Sequence, residues 1–355
     1  MSGPDGAVER LRAGAAEIVS GDEFEALLER AAAGDRPRAY IGFEPSGTAH
    51  IGWMVCTQTV RDLVDAGFDV TILLADWHAY INDKLGGDMA AIQRCAAYMQ
   101  DAFEALGVGR DEVTYRFAEE FAEDKDYWQL VINVAKHTSL ARIRRAMDIM
   151  GRSEEEGDRD MSKFLYPAMQ VADIFHMDMD LAYGGMDQRH AHMLARDVAK
   201  KMKLKPPVAY HTPLVPNLKG GAGRMDPLEA KMSKSDPSSG IFLHDEAKSV
   251  QKKVGKAHCP AGEKEDNPVL DLLRLVIWPR LADGLHIDRP EKFGGPLHYA
   301  TYEDVEAAFT AGDLHPMDLK NGVGAALNAI LDPVRSYFDE HPENLDFVEG
   351  LKRTR

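Results

Sequence analysis

A chain of 355 residues, 45% hydrophobic and 28% charged, is long enough for two cores and has the make-up of an ordinary soluble globular protein. No apolar run approaches the roughly 20 residues that span a bilayer, and Met1 to Gly14 is acidic without an apolar segment, so a membrane protein and a secretory leader are both unexpected and the cytoplasm is the expected compartment. The formal net charge of -16 weighs against a polyanionic partner, and the three scattered cysteines, Cys56, Cys95 and Cys259, lack metal-ligand spacing and are expected to be reduced thiols.

Ser20 and Glu23 have the spacing of a capping box, apolar Phe24, Leu27, Leu28 and Ala31 follow at helical period, and Gly34 ends the helix. The stretch Tyr40 to Trp53 then reads as a strand, a loop punctuated by Gly42, Pro45, Ser46 and Gly47, and the start of a helix carrying Val55, Val60, Leu63 and Val64. Such a unit points backbone N–H groups and the positive end of a helix dipole at the space above the strand ends, which suits a phosphate. Gly67 closes the helix, and Phe68 to Ala75 is an apolar run of strand length, suited to a strand covered on both faces. Asp76, Trp77, His78, Ala79 and Tyr80 crowd its carboxyl end, where open parallel sheets place their ligands.

A helix with Ile92, Ala96, Met99, Phe103 and Leu106 leads to a third strand, Val113 to Phe117, so strand and helix alternate and the sheet should be parallel. From Lys125 to Met150 the pattern is helical and basic, an insertion, and Gly151 to Asp160 is an acidic polar linker. On the next helix, Phe164 to Met177, the spacings of Tyr166, Gln170 and Asp173 put all three on one face. An apolar strand ends in Tyr183 to Arg189, and a helix runs on to Lys201. Gly220 to Gly223 leads into Lys231-Met232-Ser233-Lys234-Ser235, and past Asp245 the chain reads as helical and loop-rich. Basic clusters at Lys136 to Arg145, Lys200 to Lys205 and Lys248 to Lys256 keep an RNA partner open despite the acidic total.

His50-Ile51-Gly52-Trp53 and Lys231 to Ser235 resemble the two ATP-binding signatures of class I aminoacyl-tRNA synthetases, in the right order. Attack of a carboxylate on the α-phosphorus of ATP builds negative charge on the triphosphate, which fixed N–H donors and mobile cations stabilise. The resemblance implies that His50, Lys231 and Lys234 do this work, with Ser46, Gly47, Gly52, Met232, Ser233 and Ser235 shaping the ATP site. Within the class the chain resembles the tyrosyl-tRNA synthetases of archaeal and eukaryotic type, from Tyr40 to about Pro333, over Tyr40–Gly47, Leu73–Tyr80, Tyr166–Asp173, Gly184–Arg189, Cys259–Gly262, Lys292–Gly295 and Leu314–Asn321.

That resemblance implies that Tyr40 and Asp173 hydrogen-bond a substrate phenol, that Tyr166, Gln170 and Gln188 hold its α-amino group, and that Gly42, Leu73, Ala75 and His78 shape the ring pocket. A phenolic hydroxyl is donor and acceptor at once, so a carboxylate and a second phenol satisfy it fully. It further implies tRNA(Tyr) contacts at Arg189 (acceptor stem), Phe293, His315 and Asp318 (anticodon), and a homodimer made through the inserted helices. Read unaided, Phe293 is a core anchor and His315-Pro316 a helix start. The chain departs from the family at Trp53, where the signature usually ends in His. An indole N–H donates but neither accepts nor carries charge, so Trp53 is expected to pack under the nucleotide.

The expected protein is α/β: an N-terminal helical arm (1–35), a Rossmann-like parallel-sheet catalytic domain (36–242) with a helical insertion at about 120–162, and an α-helical anticodon-binding domain (243–355). Its expected substrates are L-tyrosine, ATP with Mg²⁺, and tRNA(Tyr), with no tightly bound cofactor, no protein metal site and no membrane partner. A tryptophanyl-tRNA synthetase and a synthetase-like RNA-binding protein without catalysis are the alternatives, the first disfavoured by Tyr40 with Asp173, the second by His50, Gly52, Lys231 and Lys234. A dinucleotide oxidoreductase would need a Gly-x-Gly-x-x-Gly turn after the first strand, which is absent.

Overall fold

The computed structural model describes residues 3–150, 160–220 and 240–353; most of the acidic linker, and the whole of Lys231 to Ser235, lie outside the described residues. By its internal contacts the chain forms two compact units. The first comprises Met1–Gly47, Cys56–Pro213 and Asp346–Arg355, the second Thr48–Val55 and Leu214–Leu345.

The first unit opens with α1 (Pro4–Gly14), β1 (Glu17–Val19) and α2 (Gly21–Ala32), followed by β2 (Arg38–Phe43). Gly34 ends α2 as expected: at φ +86° it lets its own N–H reach Ala31 O and that of Asp35 reach Arg30 O. The expected capping box does not form. Ser20 precedes α2, but its side chain makes no capping bond, and only its carbonyl is used, by Phe24 N–H. Next come α3 (Trp53–Asp65), β3 (Asp69–Leu74), α4 (Asp76–Ile81), α5 (Met89–Ala105) and β4 (Thr114–Phe117). Asp88 starts α5 by accepting the N–H groups of Ala90 and Ala91.

The insertion is α6 (Glu119–Ala122), α7 (Lys125–Lys136) and α8 (Leu140–Ala146). Asp124 caps α7 by accepting Asp126 N–H, which fixes where that helix begins and therefore which side chains turn inward. Val131, Val134, Ile143 and Ala146 share one apolar core with Ala168, Met169, Val171 and Ala172 of α9 (Ser162–His176). Then follow β5 (Leu181–Gly185), α10 (Arg189–Met202) and β6 (Val208–Thr212).

The six strands form one sheet in the order β1-β6-β5-β2-β3-β4. The five from β2 to β6 are mutually parallel, as the alternation of strand and helix requires. The sixth corrects the sequence reading: the arm is not wholly helical, since β1 adds an antiparallel edge to β6, Ile18 facing Tyr210. Strand order reverses between β2 and β5, and ligands of open α/β sheets bind beyond the carboxyl ends of the strands at such a switch point.

In the second unit, Ala49 to Ile51 pair with Ile241 to Leu243: Ile51 N–H donates to Ile241 O at 2.9 Å and Leu243 N–H to Ala49 O at 3.1 Å. This pairing, and β6 being the last strand of the sheet, are why the units separate after Pro213, where the sequence suggests Phe242. The rest is α11 (Ala247–Lys256), α12 (Pro268–Leu272), a two-stranded antiparallel ribbon of β7 (Leu285–Ile287) and β8 (Leu297–Tyr299), α13 (Tyr302–Ala311) and α14 (Pro316–Glu340). His315 caps α14 ahead of Pro316, as its sequence indicates. Gly322 lets α14 lie on the ribbon, since a Cβ there would meet Ile287 Cγ1 at 2.7 Å. The last helix, α15 (Glu343–Arg353), hands the chain back to the first unit, where the Arg94 guanidinium lies 5.1 Å from the Phe347 ring centroid.

Candidate functional site

At the switch point of the first unit, side chains from four elements meet around one carboxylate. Asp173 on α9 is 1% exposed. The Tyr127 hydroxyl of α7 donates to its Oδ1 at 2.8 Å. His78 Nε2, from the first turn of α4, lies 3.1 Å from Oδ2, in range for charge attraction but off the line of a hydrogen bond. Burial, the largest single influence, would lower the His78 pKa, yet Asp173 together with the Glu44 and Asp76 charges outweighs it and the net shift is upward. Tyr40 of β2 completes the group. Burial first, and the Asp173 charge second, hold its phenol far above the ordinary range. Tyr127 is raised by the same two causes.

The walls follow from strand geometry. Tyr40 and Gly42 are two apart on β2 and so share a face, and Gly42 is registered with Leu73 of β3, which with Ala75 continues the floor. A Cβ at Gly42 would lie 3.5 Å from the Tyr40 ring, filling space that glycine leaves open. The predicted face of α9 is present, with Tyr166, Gln170 and Asp173 all turned inward. The Tyr166 ring meets His78 edge-on at 5.0 Å, and its phenol is held well above the ordinary range by burial and by the Glu44 carboxylate. Gln170 Nε2 donates to Gln188 Oε1 at 3.1 Å, while Gln170 Oε1 is buried with no hydrogen-bond partner among the described residues. Gly184 permits that meeting, because a Cβ there would lie 2.8 Å from Gln188 Cβ.

Two members of the site escape a sequence reading. Tyr127 sits in the first turn of α7 with nothing local to tie it to a carboxylate 46 residues on. Glu44 follows β2 and is fastened by Asn82, whose Nδ2 donates to Glu44 Oε1 at 2.8 Å, with Lys84 Nζ 3.5 Å from Oε2.

Under the Gly184–Arg189 turn lies a chain of charged and imidazole groups. Arg189 forks onto Glu17 of β1 at 2.7 and 2.9 Å, so it is paired within the chain, and that fork holds the Glu17 pKa below the usual carboxylate range. Glu17 Oε2 lies 3.1 Å from His211 Nδ1, and His211 Nε2 lies 3.1 Å from His192 Nδ1, the two buried rings stacked. Burial, then the neighbouring His211, push the His192 pKa down to about 3.

In the second unit, His50 Nδ1 accepts Gly52 N–H at 3.0 Å, which leaves the ring proton of the neutral imidazole on Nε2. A Cβ at Gly52 would lie 2.6 Å from His50 Cε1, so glycine is what lets the ring fold over the backbone. Trp53 is 5% exposed at the start of α3 and serves as a core residue. Phe293 is exposed beneath Lys292 Nζ, not a core anchor. His315 Nδ1 accepts Met317 N–H, and Asp318 lies 3.6 Å from Arg289. In the first unit, Ser46 Oγ donates to Glu44 O, and Gly47 N–H points at Cys95 Sγ, 3.3 Å away. The basic cluster on the insertion is partly spent internally: Arg142 pairs with Asp197, and Arg144 lies over Phe164.

The sheet and its switch point are those of the class I synthetase fold, and comparison with known proteins agrees. Residues 32–332 match the family model of class I tRNA synthetases for W and Y. The chain is 50% identical over 353 residues to a tyrosine–tRNA ligase of Aeropyrum pernix, covering 96% of each chain, and 45% identical to one of Saccharolobus islandicus, covering 99% of this chain and 98% of that one. Its structure superposes on a tyrosyl-tRNA synthetase of Pyrococcus horikoshii complexed with L-tyrosine with a TM-score of 0.87 at 37% identity, covering 97% and 99% of the two chains. The chain belongs to the class I aminoacyl-tRNA synthetase family of the tryptophan and tyrosine enzymes.

Tyr127→Phe should leave a buried carboxylate oxygen without its donor and destabilise the protein by about 1–3 kcal/mol, measured by denaturant unfolding. Acid should also act through His192. Its folded pKa of about 3 lies below the unfolded 6.5, so between those values the unfolded chain binds the extra proton. The contribution is fully present above pH 6.5 and is lost as pH falls towards 3. A His192→Gln variant should therefore show a flatter unfolding midpoint against pH over that window.

Proposed function

We propose that the chain activates L-tyrosine with ATP to tyrosyl-adenylate and transfers the tyrosyl group to tRNA(Tyr). One observation carries the amino-acid choice: a buried carboxylate, Asp173, faces the Tyr40 phenol at the end of an apolar slot. A substrate phenol there donates to the carboxylate and accepts from Tyr40. Phenylalanine would leave both unpaired, and tyrosyl-tRNA synthetases are the standard example of such discrimination. An α-ammonium group supplies the donors that the unpartnered Gln170 Oε1 lacks, beside Gln188 and Tyr166.

The substrate carboxylate attacks the α-phosphorus, the bond to the β-phosphate oxygen breaks, and pyrophosphate leaves. A hydroxyl of the terminal ribose of tRNA then attacks the carbonyl and AMP leaves. Neither step needs a covalent enzyme intermediate, so orientation and charge stabilisation carry the rate. The proton on His50 Nε2 suits a phosphate, and Lys231 and Lys234 are assigned to the leaving pyrophosphate, with Ser46, Gly47, Gly52, Met232, Ser233 and Ser235 completing the ATP site. A Mg²⁺ arriving with the ATP would offset charge on the phosphates beside these donors.

We assign residues 243–355 to anticodon binding. Exposed Phe293, with His315 and Asp318, supports it, since single-stranded loops are read by stacking and base-edge hydrogen bonds. Arg189 would reach an acceptor stem only by sharing or leaving Glu17. Exposed Ile132 and Leu140 on the inserted helices support a homodimer. Among the described residues no helix is long and apolar enough to cross a membrane, and a cytoplasmic location fits the substrates.

Pyrophosphate exchange into ATP, assayed with each amino acid in turn, should be stimulated by tyrosine. Exchange with tryptophan alone would overturn the assignment, and none with any amino acid would point to an RNA-binding protein without catalysis. Asp173→Ala should lose most of the preference for tyrosine over phenylalanine in the same assay, and a preference that survived would place the phenol elsewhere.

A further inference from the structure

The ribbon of the second unit carries a group of side chains that aminoacylation does not use. His286 and His298 are direct cross-strand partners, so the ladder projects both from one face. Their rings stack at 4.2 Å with an interplanar angle of 24°. Both Nε2 atoms approach one acceptor, the Asp283 carbonyl oxygen, at 3.1 and 2.9 Å. The Asp283 carboxylate stands beside them, Oδ2 3.6 Å from His286 Nε2. The turn can fold onto the ribbon because residue 284 is glycine: at φ +65°, a Cβ would lie 2.2 Å from Tyr299 O and 3.1 Å from His298 Nε2.

We propose that Asp283, His286 and His298 form a binding site for a divalent transition-metal cation of the zinc, cobalt or nickel type. One ligand atom from each residue already lies within 4.8 Å of the others, and all three residues are exposed, so a hydrated ion reaches them directly. Ions of this type bind imidazole nitrogen at about 2.0–2.1 Å, which small side-chain rotations achieve from here. Two imidazoles and a carboxylate leave a position for water and select against magnesium, which prefers an all-oxygen shell. Binding uses the Nε2 lone pairs, so each ring proton moves to Nδ1 and the Asp283 carbonyl loses both donors. The ion would clip the base of the loop that presents Phe293. Sequence reading finds no metal site because the two histidines are separated by 11 residues and meet only through strand register.

The test is titration of the full, chelator-stripped chain with Co²⁺, followed by visible absorption, and with Zn²⁺, followed by calorimetry. The expected result is one equivalent bound that the double variant His286→Ala, His298→Ala lacks. Asp283→Asn should weaken binding about tenfold or more, since even outer-shell partners cost that much. Tyrosine-dependent exchange in these variants reports that the chain is folded. Equal titration curves for the wild type and the double variant, including the case in which neither binds, would overturn the site.

Discussion

The structure turns on one desolvated charge. Taking an isolated carboxylate out of water costs several kcal/mol, so Asp173, at 1% exposure, has to be answered from within. The answer comes from Tyr127 and His78, with Tyr40 beside them, and each side chain belongs to a different element. The inserted helices are thus part of the pocket around Asp173, because without α7 the carboxylate has no hydroxyl donor at Oδ1. Their apolar face is correspondingly engaged with α9 inside the same chain.

The sheet explains why the pocket is where it is and why it is open. Strand order reverses between β2 and β5, so the helices that follow them diverge, and Gly42 and Gly184 keep the strand ends free of side chains. On the far side of β5 the antiparallel edge strand β1 delivers Glu17 to Arg189 and His211. Three residues of strand therefore anchor the start of α10 through a charge pair, a task that composition gives no hint of.

Much of this was legible in the chain. Long periodic segments revealed themselves, as with the apolar run of β3, the inward face of α9, and Gly34 at the end of α2, because burial on one face leaves a repeating trace. Tyr40, His78, Gln170 and Asp173 were singled out through the family resemblance, and periodicity added only that Tyr166, Gln170 and Asp173 share one face of α9. What escaped was short or non-local. β1 is too brief for a period to show, β6 follows two prolines and ends on polar His211 and Thr212, and Tyr127 gains its role only across 46 residues. Ser20 had the right spacing for a capping box and did not form one, and Phe293 looked like core and is exposed, since local patterns do not know what packs against them.

The division of the chain between its two units has a bearing on how the protein is made. The chain passes from one unit to the other after Gly47, Val55, Pro213 and Leu345, so neither unit is a continuous segment. The first unit lacks its segment from Asp346 on, including the Phe347 ring beneath Arg94, until the whole stretch from Leu214 to Leu345 has been synthesised. Its sheet strands, in contrast, are all present by Thr212. The nascent chain therefore carries every strand of the sheet well before Phe347 can cover Arg94, and residues 214–345 are made while that surface is still open.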